Sequence, residues 1–453
     1  MVDIRKFFRS PARATLAGFA LLIAAGTGLL MLPLSTTAGS IGFIDALFTA
    51  TSAVCVTGLT VVDTGSTFSL EGQIILLVLI ECGGLGIMLM STLLIITAGK
   101  RLNFASHHAI QEAFTIKGSQ PIPALIRDIV FFTLGAEVLG ILVMLPAFYQ
   151  SHGLAYGAYL SLFHSVSAFC NAGFSLYPDS FSRYVTNPVL NLTICALIVI
   201  GGIGFPVLSE LKFRLFRKTL SWRRLSLHSK LVLSSTALLI IVSTGAFLVM
   251  EWHNTLRTLP LQGKWLAAFF QAINTRTAGF NTVNIDALAN ETQFFMIILM
   301  FIGASPGSCG GGIKTTTFAI LTIMGLSRLR GHSLPRIFKR TISEISLEKA
   351  VSVVLISMII ICSGLLILLM TEIGDIPRPE SRGKFLELLF EVVSAFGTVG
   401  LSTGVTATLS QAGKAFITGI MFIGRLGPMV VVIAMSRGIH ANYHYAREEA
   451  MIG

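Results

Sequence analysis

Charged residues are scarce in this sequence. Asp, Glu, Lys and Arg make up 12% of the 453 residues and hydrophobic residues make up 53%, whereas soluble domains contain about 25% charged residues. The shortage excludes an ordinary soluble domain. Apolar runs recur instead, at roughly the 20 residues that a helix needs to cross a bilayer, so the chain is predicted to cross a membrane several times. The eight clearest runs are 15–34, 73–98, 129–148, 189–209, 231–250, 293–304, 351–371 and 415–436.

Acidic residues are fewer than basic ones, 22 against 33, which gives a net charge of +11. The distribution of this charge does not indicate a nucleic-acid partner. With eight spans and a cytoplasmic start, most Lys and Arg residues fall on the inner side, and the positive-inside rule then places both termini in the cytoplasm. The first run is read as a retained span. The basic loops 211–230 and 327–349 would face a cytoplasmic partner or anionic lipid.

Residue sets typical of enzymes are also missing. The nine histidines form no HExxH motif, and "GSCGGGIKT" is not a P-loop because Ile313 separates Gly312 from Lys314. We therefore expect no enzyme activity and no covalently bound cofactor. The six cysteines have no metal-like spacing and are expected to be small buried apolar residues: Cys55, Cys82, Cys170, Cys195, Cys309 and Cys362.

An internal repeat is the most informative feature that is present. Each copy has a short amphipathic segment, a glycine followed by Leu or Phe and a small polar residue, and then an apolar run with a further glycine motif. The four copies are "LFTATSAVCVTGLT" (47–60), "LFHSVSAFCNAGFS" (162–175), "AFFQAINTRTAGFN" (268–281) and "LFEVVSAFGTVGLS" (389–402). The later glycine motifs begin at Gly83, Gly201, Gly303 and Gly424.

The short segments cannot cross a membrane as helices, and non-helical backbone survives at membrane depth only where it is buried or lines water. We therefore predict an all-α polytopic membrane protein with eight spans and four re-entrant half-helices. Its four span–pore-helix–span units would surround one central pore, where backbone carbonyls replace the hydration shell of a cation. One glycine per copy predicts a single well-defined ion site. The predicted units are 1–104, 105–224, 225–340 and 341–453.

At these residues the chain resembles the Trk/Ktr/HKT superfamily of potassium transporters, and within it the KtrB subunits. The resemblance rests on "DALFTATSAVCVTGLTVVDT" (45–64), "ECGGLGIM" (81–88), "SAFCNAGFS" (167–175), "NTRTAGFNT" (274–282), "GSCGGGIKTTT" (307–317) and "IGRLGPM" (423–429). It implies potassium uptake across the bacterial cytoplasmic membrane, with Na⁺ as a possible activating ion. It also implies a homodimer on a cytoplasmic KtrA-like nucleotide-binding ring, which would hold the ATP/ADP or NAD(H).

The resemblance also assigns residues to the selectivity filter, whose main-chain oxygens would coordinate potassium and no other metal. In related plant transporters, Ser at the first filter glycine goes with sodium preference. All four positions are Gly here, which favours potassium. The implied filter residues are Val56, Thr57 and Gly58; Asn171, Ala172 and Gly173; Thr277, Ala278 and Gly279; and Thr398, Val399 and Gly400.

An interrupted span and one buried charge are the candidate gate. The stretch 303–317 is rich in Gly, which opposes a continuous helix, and in the family it forms an intramembrane loop that closes the pore below the filter. The alternative is a kinked helix. Arg425 is either a positive barrier beneath the filter or half of a structural ion pair, for which Glu81 is the candidate partner. The implied gating residues are Gly303, Gly307, Gly310, Gly311, Gly312, Lys314 and Arg425.

Two alternatives remain at this stage. One is a secondary transporter of another small solute, since internal repeats and broken helices also occur there; such folds usually show two repeats, whereas this chain has four. The other is a TrkH-like potassium transporter linked to protons. Glu391, Asp63 and Glu71 could concentrate cations at the outer mouth, or could be solvated or helix-capping carboxylates.

Overall fold

The computed structural model describes residues 11–99, 122–219, 221–332, 334–374, 377 and 379–427. The basic N-terminal segment, most of the predicted cytoplasmic loop at 98–128, the predicted boundary at 104 and 105, and the C-terminal end of the eighth apolar run lie outside these residues.

The described chain is almost entirely helical. Its first nine α-helices are α1 (Pro11–Leu30), α2 (Phe43–Val54), α3 (Thr64–Thr67), α4 (Leu70–Gly99), α5 (Ile122–His152), α6 (Leu154–Phe169), α7 (Pro188–Ile203), α8 (Phe205–Phe216) and α9 (Leu227–Glu251). They continue with α10 (Leu261–Asn274), α11 (Asn290–Phe301), α12 (Thr315–Leu329), α13 (Glu344–Leu368), α14 (Lys384–Gly397), α15 (Val405–Thr408) and α16 (Gln411–Leu426). A two-residue hairpin, β1 (Arg336–Ile337) and β2 (Arg340–Thr341), precedes α13.

Three of the described helices are long and apolar enough to cross a membrane. They are α5 from Ile126, α9, and α13 with the π-helical turn that extends it to Ile373. The bent pair α7–α8 would make a fourth if it counts as one span. The other predicted apolar runs coincide with helices as well, and the total of eight spans stays a prediction.

Several helix starts are fixed by side-chain caps, because the first N–H groups of a helix have no partner within it. Asn187 accepts the Leu190 N–H at 3.2 Å at the start of α7. Ser226 accepts the Ser229 N–H at 3.1 Å at the start of α9. Ser410 does the same for Gly413 at the start of α16. These polar residues separate one apolar segment from the next.

The apolar run at 189–209, which the sequence predicts as one span, is divided between two helices. The chain bends by 100° between α7 and α8. Gly204 makes the bend with a φ of +94°, and Pro206 follows at the start of α8, where its missing N–H costs no helical hydrogen bond. The second half of the run therefore leaves the direction of α7.

The first and last repeats meet in space. Lys414 Nζ on α16 lies 2.8 Å from Asp45 Oδ1 on α2, across 369 positions of sequence.

The core of the molecule lies around α2, α6, α10 and α14, which are packed with fully buried phenylalanines such as Phe48, Phe163 and Phe390. The four repeats thus enclose the short helices.

A buried carboxylate fixes the connection between α8 and α9. Glu210 accepts hydrogen bonds from Arg214 Nε at 2.9 Å, from the Ser226 N–H at 3.0 Å and from the Ser229 hydroxyl at 2.5 Å. Only 5% of Glu210 is exposed. The charge is therefore compensated by several donors at once.

Glu210→Ala should destabilise the protein by about 3 kcal/mol, because it leaves a buried guanidinium and two hydroxyls without their acceptor. The matched control is Asp179→Ala, which breaks the Asp179–Arg183 pair at 2.7 Å in which both side chains are more than 40% exposed; it should cost less than about 1 kcal/mol. Thermal unfolding in detergent would compare the two. Equal effects would contradict the anchoring role of Glu210.

Candidate functional site

The four short helices α2, α6, α10 and α14 are each followed by the same unusual backbone. Two residues before the repeat glycine, a residue with a side chain adopts a positive φ, which costs about 1–3 kcal/mol at each position. These residues are Val56 (52°), Asn171 (61°), Thr277 (65°) and Thr398 (49°). The same strain at four equivalent places indicates that the surrounding structure imposes one loop shape on all four copies.

The four repeat glycines lie against one another in a closed ring. All have a positive φ: 89° at Gly58, 70° at Gly173, 78° at Gly279 and 88° at Gly400. A Cβ on Gly58 would lie 2.5 Å from Ala172 O, one on Gly173 2.8 Å from Ala278 O, one on Gly279 2.8 Å from Val399 O, and one on Gly400 would overlap Thr57 O. Each loop therefore touches the next in chain order, and the fourth returns to the first.

The carbonyl oxygens in this ring accept no hydrogen bond from any residue that the structure describes. Thr57, Ala172, Ala278 and Val399 are fully buried, yet within the described part of the chain no protein group donates to their main-chain oxygens. Buried carbonyls are nearly always paired, so four unpaired ones that face each other's glycines could accept an electropositive ligand.

Serine hydroxyls on the short helices form hydrogen bonds with two of the loops that follow them. Ser52 Oγ accepts the Gly58 N–H at 3.1 Å, and Ser394 Oγ accepts the Gly400 N–H at 3.1 Å. In the third repeat Asn274 Oδ1 accepts the Phe280 N–H at 3.0 Å. Sequence reasoning missed these residues. A polar residue six positions before the bonded N–H was the available signal.

A cavity of about 350 Å³ opens onto the glycine ring. Asp63 is the one carboxylate that lines it among the described residues, and Asp63 also caps α3 by accepting the Ser66 N–H at 2.8 Å. Burial and the neighbouring Tyr184 hydroxyl raise the pKa of Tyr177 at the cavity wall, so this phenol stays neutral. The lining also includes the four glycines and the four polar residues two positions after them: Thr60, Ser175, Asn281 and Ser402.

The other two carboxylates do not line this cavity, which does not support a cation-concentrating role for them; the alternative of a solvated carboxylate at a helix start fits Glu71. Glu391 is fully buried, accepts hydrogen bonds from two hydroxyls and does not line the cavity. Glu71 is exposed in the first turn of α4 and does not line it either.

The later glycine motifs allow the second helix of a repeat to approach the short helix closely. A Cβ on Gly83 would overlap Val54 O, one on Gly201 would overlap Phe169 O, and one on Gly424 would overlap Phe396 O. Each of these oxygens belongs to the last turn of the short helix in the same repeat. In the third repeat Gly303 instead lies against Gly311 O, so this copy is built differently.

The difference is a buried, non-helical loop between Phe301 and Thr315, where the sequence predicts an interrupted span. It is hydrogen-bonded to the end of α7 and the start of α8. The Ser305 N–H donates to Gly202 O at 3.0 Å, the Cys309 N–H to Gly201 O at 3.1 Å, and the Phe205 N–H to Gly307 O at 2.9 Å. The loop is thus attached to the bend at Gly204.

The same loop lies directly against the third and fourth strained loops. A Cβ on Gly310 would overlap Thr277 Oγ1 and one on Gly311 would overlap Thr398 Oγ1. The Gly311 N–H donates to Thr398 Oγ1 at 3.1 Å. Lys314 Nζ donates to Gly310 O at 2.7 Å. A Cβ added to Gly312 would lie 3.3 Å from Gly397 Cα. Only glycine permits this approach.

The model of the TrkH family, described as a cation transport protein, matches residues 14–441. The chain belongs to this family. It is 38% identical to the Ktr system potassium uptake protein B of Bacillus subtilis (strain 168), over 98% of this chain and 97% of that protein. It is 37% identical to the potassium/sodium uptake protein NtpJ of Enterococcus hirae, over 98% and 97%. The resemblance predicted from the sequence motifs is therefore confirmed.

The fold of this TrkH-family chain is similar to the crystal structure of the potassium transporter TrkH from Vibrio parahaemolyticus. The TM-score is 0.73 at 18% sequence identity, over 93% of this chain and 84% of that one. At this identity the likeness concerns the fold alone, which is that of a helical membrane transporter.

Arg425 connects the loop of this TrkH-family protein to α4. Its guanidinium donates through Nη1 to Cys309 O and through Nη2 to Gly83 O at 2.9 Å, and only 2% of the residue is exposed. The suggested ion pair with Glu81 does not form between these described side chains. Arg425 donates to the main-chain oxygens of Gly83 and Cys309 instead, and Glu81 accepts from Cys170 Sγ at 3.4 Å.

Glu81 belongs to a small group that the sequence spacing does not reveal. Ligand atoms of Glu81, Glu137 and Cys170 lie within 4.8 Å of one another, an arrangement that could hold a metal ion. The three residues come from α4, α5 and the end of α6. No motif predicts the grouping, because the members are far apart in sequence.

Proposed function

We propose that this protein mediates potassium uptake across the bacterial cytoplasmic membrane. Its filter is formed by the four loops that end at Gly58, Gly173, Gly279 and Gly400. The observation that supports this best is the closed ring of glycines with its four unpaired, buried carbonyl oxygens. Carbonyl oxygens are the ligands that replace the hydration shell of a potassium ion. The names of the relatives, potassium uptake proteins in two cases, agree with this proposal.

The architecture proposed around this filter has eight spans, four repeats and both termini in the cytoplasm. The short helices α2, α6, α10 and α14 act as pore helices. Their C-terminal ends carry a partial negative charge, which favours a cation at the ring. Because each repeat supplies only one glycine, we expect one well-defined ion site.

The gate proposed for this pore is the loop between α11 and α12. It is buried, lies against Thr277 and Thr398, and is held by Arg425. In this position the loop closes the cation path beneath the filter, and the guanidinium adds positive charge there. Opening requires the loop to release Arg425 or to move with it.

A homodimer with a KtrA-like cytoplasmic ring is the proposed assembly, with the ring holding the nucleotide and Na⁺ as an activating ion. The relatives named as Ktr system subunits support a partner, and a relative named as a potassium/sodium uptake protein supports a role for sodium. The basic loops 211–230 and 327–349 would face the ring.

Gly279→Ser tests the filter. A seryl Cβ at a φ of +78° would lie 2.8 Å from Val399 O, so the ring must distort and the carbonyls must lose their common distance from the ion. We expect the preference for potassium over sodium to fall by about tenfold or more, equivalent to at least ~1.4 kcal/mol. The measurement is radioactive rubidium uptake into proteoliposomes with competing potassium or sodium.

The matched control is Gly325→Ser on α12, where an added Cβ meets no atom within 4 Å and the wild-type preference should persist. If Gly279→Ser retains the wild-type preference, the glycine ring is not the filter. The repeats would then require a solute-transporter explanation.

A further inference from the structure

The residue nine positions before the filter glycine is buried and differs in each of the four repeats. The residues there are Thr49, His164, Phe270 and Glu391, and all four are almost completely buried. Two of them are ionisable side chains on pore helices, so a structural reason for their presence is needed.

Glu391 on α14 supports the segment that follows the fourth filter glycine. Its Oε2 accepts from the Ser402 hydroxyl at 2.9 Å and its Oε1 accepts from the Thr406 hydroxyl at 2.5 Å. The Ser402 oxygen in turn accepts the Gly404 N–H at 3.0 Å. Ser402 lines the outer cavity two residues after Gly400. One carboxylate therefore connects the pore helix to both sides of the turn at the filter mouth.

His164 on α6 makes the corresponding contacts in the second repeat. Its Nδ1 lies 2.8 Å from Leu160 O, and a carbonyl can only accept, so Nδ1 carries the proton. The free Nε2 then accepts from the Ser175 hydroxyl at 3.2 Å and from the Leu176 N–H at 3.4 Å. Ser175 lines the outer cavity two residues after Gly173.

The other two repeats lack this connection. Thr49 donates to Asp45 O within its own helix at 2.8 Å, and the side chain of Phe270 has no polar atom. The glycine ring runs in chain order, so the second and fourth loops are opposite each other across the axis. The helix-to-mouth supports at Glu391 and His164 therefore form a diagonal pair.

We propose that Glu391 and His164 are positioning residues that set ion discrimination, by holding two opposite loops at the mouth of the filter. The proposal rests on the filter function proposed above. Neither side chain lines the cavity; each acts through a serine. If these supports are removed, the residues after Gly400 and Gly173 are freed, and the ring no longer holds the spacing that suits potassium better than sodium.

The test compares four variants in the full chain by rubidium uptake into proteoliposomes. Glu391→Leu removes both acceptors with little change in size, and Thr406→Val removes one donor while leaving Glu391 in place. Glu391→Gln keeps an acceptor and adds a donor, and His164→Gln keeps an acceptor near the position of Nε2. The quantities are the half-saturating rubidium concentration, the maximal rate, and inhibition by potassium and by sodium.

We expect Glu391→Leu to raise the half-saturating concentration about tenfold, since two hydrogen bonds to a buried carboxylate are lost. The potassium-to-sodium preference should fall by a similar factor while the maximal rate changes less than about threefold. Thr406→Val should show a smaller change in the same direction, and both glutamine variants should restore most of the wild-type behaviour.

Two results would overturn the proposal. One is a folded Glu391→Leu or Thr406→Val protein, monodisperse in detergent, with wild-type half-saturation and preference. The other is a fall in maximal rate alone, which is what a merely structural role produces. The Gly279→Ser variant distinguishes failure of the positioning role from failure of the filter proposal. If Gly279→Ser loses selectivity while the Glu391 variants keep it, the filter proposal is supported and the positioning role is wrong.

Discussion

Arg425→Ala should increase rubidium uptake by about tenfold or more in proteoliposomes that lack a cytoplasmic partner. The wild-type guanidinium donates to Cys309 O and Gly83 O, and a hydrogen bond to a charged group is worth about 1.5–3 kcal/mol. Loss of both bonds frees the loop from α4 and removes a positive charge from the proposed path of the cation. The measurement is the initial uptake rate per reconstituted protein.

Arg425→Lys distinguishes the contribution of the hydrogen bonds between the loop and α4 from that of the positive charge. A single ammonium group retains the charge but lacks the planar fork that reaches two carbonyls at once. If the connection between loop and α4 closes the gate, the lysine variant should also show raised uptake; if charge alone does so, it should stay low. Wild-type rates in Arg425→Ala would contradict both roles.

Gly400→Ala should nearly abolish uptake, by about a hundredfold or more, the factor that corresponds to roughly 2.7 kcal/mol. A methyl group there would overlap Thr57 O and lie 3.0 Å from Gly58 Cα. The backbone that must yield carries one of the unpaired carbonyls. Displacement of a single loop therefore spoils the contact that closes the ring between the fourth and first repeats.

Gly404→Ala provides the control, because it shares the backbone strain without the overlap. Its φ is +95°, close to the +88° of Gly400, but an added Cβ meets no atom within 4 Å. It should lose about 1 kcal/mol of stability and keep substantial uptake. If the two variants behave alike, the positive φ and not the ring contact is the essential feature at Gly400.

The family and the helical membrane fold could be predicted from the sequence, and both are confirmed by the comparisons. Composition and the spacing of the apolar runs were sufficient for the fold class. The four repeat glycines could be selected as well, because a positive φ at close backbone contact accepts almost no other residue and so leaves a mark in the sequence. Their role as a potassium filter stays a prediction.

Other features could not be read from local sequence. The hydrogen-bond partners of Arg425 could not be predicted, because they are main-chain oxygens. Every residue carries such an oxygen, so the sequence does not distinguish the two that are used. Glu391 bonds to Ser402 and Thr406, which are ordinary loop residues until the turn is folded. The bend at Gly204 has a local signal in Gly204 and Pro206, but the apolar run continues through it, and hydropathy alone therefore predicts one span.

The pair between Lys414 and Asp45 has a consequence for how the protein is made. Asp45 emerges from the ribosome 369 residues before Lys414 does, and the contact between Gly400 and Thr57 spans almost as much of the chain. Domains assemble in order during synthesis, so the first repeat lacks its contacts with the last repeat until the last repeat has been synthesised. A chain that stops early cannot close the glycine ring, and a nascent or truncated molecule therefore lacks the complete ring that we propose as the filter.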